Sequence, residues 1–202
     1  MRTCLTLSLL ALATSAFAQT AEVVDTLFMN DASGTRRVGH VVGIDATTFK
    51  LEVPLSVGPA GATARVAVPR AQVSRIEFAP NEARERLIAS PTAASAVALN
   101  IEWLRWQAFL AVPKSPAGAI ANAYATALLA TNDPKSAASG VDVFTRVERD
   151  GWSDADRQTA KQGRLRAMIA TGHAADAVSE AKELAKESDD PTVLIEAKFI
   201  LA

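Results

Sequence analysis

The sequence predicts an α+β protein: a small five-stranded β-barrel followed by an all-α array of helical hairpins. Three observations predict it. Residues 22–78 alternate apolar and polar side chains, interrupted by turns rich in glycine, proline and aspartate. After Phe78 the alternation stops and alanine dominates at helical spacing. Four times in that later region, at Ser90-Pro91, Ser115-Pro116, Asp133-Pro134 and Asp190-Pro191, a capping side chain stands before a proline. A cap oxygen satisfies a free backbone N–H, and proline at the first helical position has no N–H to leave unpaired.

Residues 1–18 read as a secretory signal peptide. Arg2 gives the positive start, Cys4–Ala13 the short apolar run and Ala16-Phe17-Ala18 the cleavage site. That run is too short to span a bilayer. Cys4 precedes the apolar run, where a lipoprotein cysteine would follow it. Cleavage leaves 184 residues without cysteine, which excludes disulfides and thiolate metal sites. Such a chain suits a bacterial cell envelope, periplasmic or secreted, better than a disulfide-stapled secreted domain. The mature chain carries 20 basic and 22 acidic residues, so no basic excess exists to attract nucleic acid or anionic lipid. No later stretch resembles a membrane span; the most apolar one contains Asn100, Glu102, Arg105 and Gln107.

Residues 19–80 form the β module. Val23–Met29 is a strand, and Asn30–Gly34 turns the chain. Val38, His40, Val42 and Ile44 alternate with Gly39, Val41 and Gly43, a strand whose glycines permit a bend. Asp45-Ala46-Thr47 turns again. Phe49, Leu51 and Val53 alternate with Lys50 and Glu52. Pro54–Gly61 is a loop, Ala64, Val66 and Val68 mark the next strand, Pro69–Gln72 makes one helical turn, and Val73–Phe78 closes the set. This order of strands and turns resembles SH3-like and Sm-like small barrels. Sm-like proteins often bind RNA, but six basic against six acidic residues in Glu22–Phe78 give no electrostatic basis for it here.

Residues 81–202 form the helical domain. Helices are expected at Glu82–Ala89, Thr92–Val112, Ala117–Thr131, Lys135–Arg149, Asp154–Thr171, Ala174–Glu187 and Thr192–Leu201. Ser153-x-x-Asp156 marks the fifth start, with an acid near the positive end of the helix dipole. Thr92–Val112 carries one row of Val97, Ile101 and Leu104 and another of Leu99, Trp103, Trp106 and Leu110. An all-round apolar helix of this kind predicts burial between the β module and the later helices.

The hairpins Ala117–Arg149 and Asp154–Glu187 read as successive copies 38–39 residues apart. Ile120, Tyr124 and Leu128 mark one first helix, and Gly163, Ala167 and Met168 the other. Ala138, Val141 and Phe144 mark one second helix, and Ala177, Ala181 and Leu184 the other. In Thr171–Pro191, Ala174, Ala177, Val178, Ala181, Leu184 and Ala185 share one stripe, opposite Asp176, Glu180, Glu183, Lys186 and Glu187. Gly172 in the turn, Ala177, Leu184 and the later Pro191 resemble a tetratricopeptide-like repeat. The copies exceed 34 residues, the usual Trp and Leu-Gly positions are not clean, and Pro191 comes two residues late. The resemblance implies paired helices stacked to form a binding face, without a defined peptide pocket. The apolar segment 191–202 ends abruptly, which fits either truncation of a longer array or an edge that pairs with another chain.

Sites for chemistry are not found. His40 and His173 are not spaced as metal ligands. The acids of Asp150–Asp156 lack a calcium-loop pattern and read instead as one helix end and the next helix start. Gly58-Pro59-Ala60-Gly61 precedes a strand, not a helix, and no Gly-x-Ser-x-Gly is present. No catalytic, cofactor-binding or metal-binding residue is therefore nominated, and no cofactor is expected. The expected function is a non-enzymatic exported scaffold for a protein partner in the cell envelope, with self-association through 191–202 as a further contact. The alternative is a cell-wall or glycan binder that uses Trp103, Trp106 or Trp152 as a stacking platform.

Overall fold

The computed structural model describes residues 24–187 apart from 56, 58 and 60, together with positions 194 and 198. The signal-peptide reading of 1–18, the helix expected at Thr192–Leu201 and the self-association segment fall outside the described residues, apart from those two positions.

The β module has five strands: β1 (Asp25–Met29), β2 (Arg36–Ile44), β3 (Thr48–Pro54), β4 (Thr63–Pro69) and β5 (Val73–Glu77). The expected single turn between the last two is a 3-10 turn at Arg70–Gln72. All pairings are antiparallel, in the order β4-β3-β2-β1-β5. The sheet is therefore not the closed barrel expected from strand number. β5 leaves the 3-10 turn and pairs with β1, so β4 and β5 remain opposite edges. The inner face is closed by helices instead. Leu27, Val41, Phe49, Leu51, Val68 and Ile76 share one buried cluster with Trp103, Trp106, Phe109, Leu110 and Val112. Phe78 meets Trp106 and Phe109 edge-on, at ring centroids of 5.3 and 6.1 Å.

In β2 the buried positions are Gly39 and Val41, and Val38 on the alternate register is exposed. A bulge between Val41 and Gly43 shifts the phase, and Ile44 then packs on the core. Asp25 ties the sheet to the helical region. Its carboxylate is buried and accepts the Val41 N–H at 2.7 Å and the Ala79 N–H at 2.6 Å. One side chain thereby fixes β1, β2 and the connection into the helices.

Six α-helices follow among the residues up to 187: α1 (Glu82–Ala89), α2 (Ala96–Trp106), α3 (Ala117–Leu129), α4 (Pro134–Asp150), α5 (Asp154–Ala170) and α6 (Ala174–Glu187). Asp133 caps α4 by accepting the Ser136 N–H, and Ser153 caps α5 by accepting the Asp156 N–H. The other two proline starts within the described residues work differently. After Ser90-Pro91 the cap is Thr92, in a reciprocal box with Ser95. At Ser115-Pro116 the serine hydroxyl is buried and donates to the Phe109 carbonyl.

Thr92–Val112 is not one helix buried on every side. It runs as a 3-10 turn, α2 and a second 3-10 turn. Leu99, Trp103, Trp106 and Leu110 are buried, but Val97, Ile101 and Leu104 are 74%, 63% and 59% exposed. The helix packs on α1 and α3 along one side. No described element covers the other.

From α3 onward each helix packs on the next, and α3 also packs directly on α5. α3 has no charged residue and buries nine of its side chains or glycines. The turns after α3 and α5 repeat: Asn132 and Gly172, 40 positions apart, both adopt left-handed backbone. The hydroxyls of Thr131 and Thr171 both donate back to the carbonyls three residues earlier, on Leu128 and Met168. Ala137 and Ala177, at the matching place in the following helices, are both buried. α6 is held by Leu165 and Met168 against Ala177, Ala181 and Ala185. Arg164 reinforces that contact: it donates to Glu148 on α4 at 2.8 Å and to both carboxylate oxygens of Glu180 on α6.

Candidate recognition cleft

The residues singled out for stacking do not come together. Trp103 and Trp106 lie in the core, and Arg146 and Arg84 sit over their faces. Trp152 is 38% exposed, with its ring N–H donated to the Ser115 carbonyl at 3.2 Å. It acts as a pin: its backbone N–H also donates to Leu110, so the start of α3 is fastened to the start of α5. His40 is half-buried in β2 and His173 is exposed beside Asp176, far apart in the chain. Among the described residues no three His, Cys, Asp or Glu side chains gather as a metal site. Among the same residues no helix is long and apolar enough to cross a membrane.

That pinning creates a cleft between α1, α3 and α5. Its walls are Ile88, Pro91, Ala119 and Ala123, and its polar lining is Asn122, Thr126, Asp156 and Thr159, around a cavity of about 260 Å³. Asn122 stands in the middle of a helix without charged residues and is only 6% exposed. Its amide N–H donates to the Asp156 carbonyl at 3.0 Å, which fixes the side chain's orientation. The amide oxygen then has no partner among the described residues. Leaving a buried acceptor unpaired costs about 1–3 kcal/mol.

Asp156 sits in the first turn of α5, half-buried. Its carboxylate rests against Gly118 near the start of α3, where an added Cβ would lie 2.5 Å from Oδ2 and 2.7 Å from Cγ. Gly118 is there to make that room. Burial raises the Asp156 carboxyl above the ordinary carboxylate range. The hydroxyl protons of Thr126 and Thr159 are committed to the helix carbonyls of Asn122 and Ala155. Thr126, Thr159 and Asp156 thus present oxygen lone pairs to the cleft, while the Asn122 amide oxygen is sealed from solvent. No lysine or arginine lines it, and Asp156 is its one ionisable side chain.

A second cleft, of about 220 Å³, lies between β5 and residues 111–114, and it is basic. Two of its cations are already engaged: Arg75 with Glu77 and the Phe28 ring, Arg70 over the Phe49 ring.

Sequence reasoning passed over Asn122, Asp156 as a lining group, and Asp25. A lone asparagine within Ala117–Leu129, a stretch with no charged residue, was the available signal for the first. Comparison of the chain with protein-family models, with curated proteins and with solved structures finds no match.

Proposed function

We propose that this protein is a non-catalytic, exported scaffold of the bacterial cell envelope that holds a protein partner on its helical hairpins. In this reading α3–α4 and α5–α6 are two tetratricopeptide-like units. The β module, an open five-stranded sheet braced by Phe78, Trp106 and Phe109, orients them. The observation that carries the reading is the cleft between α3 and α5. Hairpins stacked side by side present their first helices on a common face, and here that face is lined by Thr126, Asp156 and Thr159 rather than being a sealed apolar seam. The repeated turn at Asn132 and Gly172 supports the hairpin reading. The signal-peptide pattern of residues 1–18 supports the compartment.

The test places a photo-crosslinking residue at Thr126 or Thr159, both exposed on the cleft, and at Ser139 on α4 as a control. Discrete protein adducts in envelope extract at the first two positions, absent at the third, are expected. The same adducts at all three, or none above background, would overturn the scaffold reading.

A further inference from the structure

We infer that the α1–α3–α5 cleft recognises a cationic side chain of the partner, an ammonium or guanidinium group borne on an aliphatic stem. The inference rests on the scaffold reading and names the chemistry of its contact. Three features of the cleft point the same way.

The first is donor and acceptor balance. The free valences open to the cleft are the Asp156 carboxylate and the lone pairs of the Thr126 and Thr159 hydroxyls. A ligand that satisfies them must bring N–H groups, and several of them. An ammonium has three donors and no acceptor; a guanidinium has five. A carboxylate or phosphate would face oxygen with oxygen.

The second is charge. Asp156 is half-buried against Gly118, with no cation among the lining residues to neutralise it. An incoming cation gains a charge-assisted hydrogen bond in a partly desolvated place, where such bonds are strongest.

The third is shape. Ile88, Pro91, Ala119 and Ala123 give apolar walls beside the polar floor. A methylene stem packs on such walls while its charged head reaches the acceptors. The cavity of about 260 Å³ suits one side chain rather than a whole folded surface.

The test uses the full chain and three probes, N-acetyl-lysinamide, N-acetyl-argininamide and uncharged N-acetyl-norleucinamide, followed by amide-resolved NMR titration. Saturable shifts at the Asn122 side-chain amide and at the Gly118 and Thr159 backbone amides are expected for the two cationic probes. Norleucinamide and the Asp156→Asn variant are expected to bind at least about tenfold more weakly, the scale of one lost charge-assisted contact. Thr159→Lys places an internal cation at the exposed rim and is expected to abolish the shifts while leaving the helical spectrum intact. Equal binding of norleucinamide, unchanged binding by Asp156→Asn and Thr159→Lys, or no shift at about 50 mM probe, far above side-chain affinities of use in a complex, would each overturn the inference. Crosslinking at Thr126 and Thr159 decides the scaffold reading separately. Adducts that persist without any cation preference would leave the scaffold standing and remove this contact from it.

Discussion

Replacing Gly163 by alanine tests the packing of the two hairpins directly. On an exposed helix this change stabilises by about 1 kcal/mol, because glycine loses more backbone entropy on folding. Here the opposite sign is expected. An added Cβ would lie 2.9 Å from Cε2 of Phe144 and closer still to Cζ and Cε1. Carbon atoms rest at about 3.5–4.0 Å, so the ring would have to retreat by about 1 Å. Phe144 is fully buried between α4 and its neighbours. α4 is itself close to α3: an added Cβ at Gly140 would sit 3.3 Å from the Ala125 carbonyl oxygen. The strain cannot be passed on cheaply. Overpacking of this kind costs about 1–3 kcal/mol, which lowers Tm by about 3–10 °C in a chain of this size. Urea unfolding followed by circular dichroism measures it. A second variant, Gly163→Ala with Phe144→Leu, removes the clashing ring edge and is expected to recover part of the loss. A Gly163→Ala protein as stable as the parent, or more so, would refute the close approach of α4 and α5.

Other contacts give further expected outcomes. Asp25→Ala leaves the Val41 and Ala79 N–H groups without their acceptor; a loss of about 1.5–3 kcal/mol is expected by urea midpoint. Arg164→Leu strands Glu148 and Glu180; hydrogen exchange is expected to show α6 deprotected before α3. Asp156 has a folded pKa raised by burial, so its contribution is present at low pH and lost as pH rises through that folded value. Asp156→Asn should therefore match the parent at acid pH and exceed it in urea midpoint near neutrality; a constant gap would contradict this. Asp31 moves the other way. The hydroxyl and backbone N–H of Thr35 and the Ser33 hydroxyl hold its pKa at about 2. Its contribution is present above the ordinary carboxylate value near 4 and lost as pH falls towards about 2. Asp31→Asn is expected to flatten the pH dependence of stability in that window alone.

Much of the local structure was legible from residues alone. The strand edges follow from alternation and from turn residues such as Asn30–Gly34 and Asp45–Thr47, because a β-turn is decided within four residues. The starts of α4 and α5 follow from Asp133-Pro134 and Ser153-x-x-Asp156, because a cap bonds to an N–H only two or three positions away. The left-handed positions of the turns after α3 and α5, Asn132 and Gly172, also fall on residue types that tolerate that backbone.

The tertiary structure decided everything that depends on a distant partner. Five strands do not say whether a sheet closes; the pairing of β5 with β1 left it open, and Phe78, Trp106 and Phe109 filled the gap. The two apolar rows of α2 look equivalent in sequence, yet neighbours cover one and leave Val97, Ile101 and Leu104 in solvent. Asn122 and Asp156 are 34 positions apart and meet because Trp152 pins the start of α5 to the start of α3. Caps and turns are settled by bonds a few residues long, so the chain writes them in plain order. Burial and the state of a carboxylate are settled by the groups that the rest of the fold brings alongside.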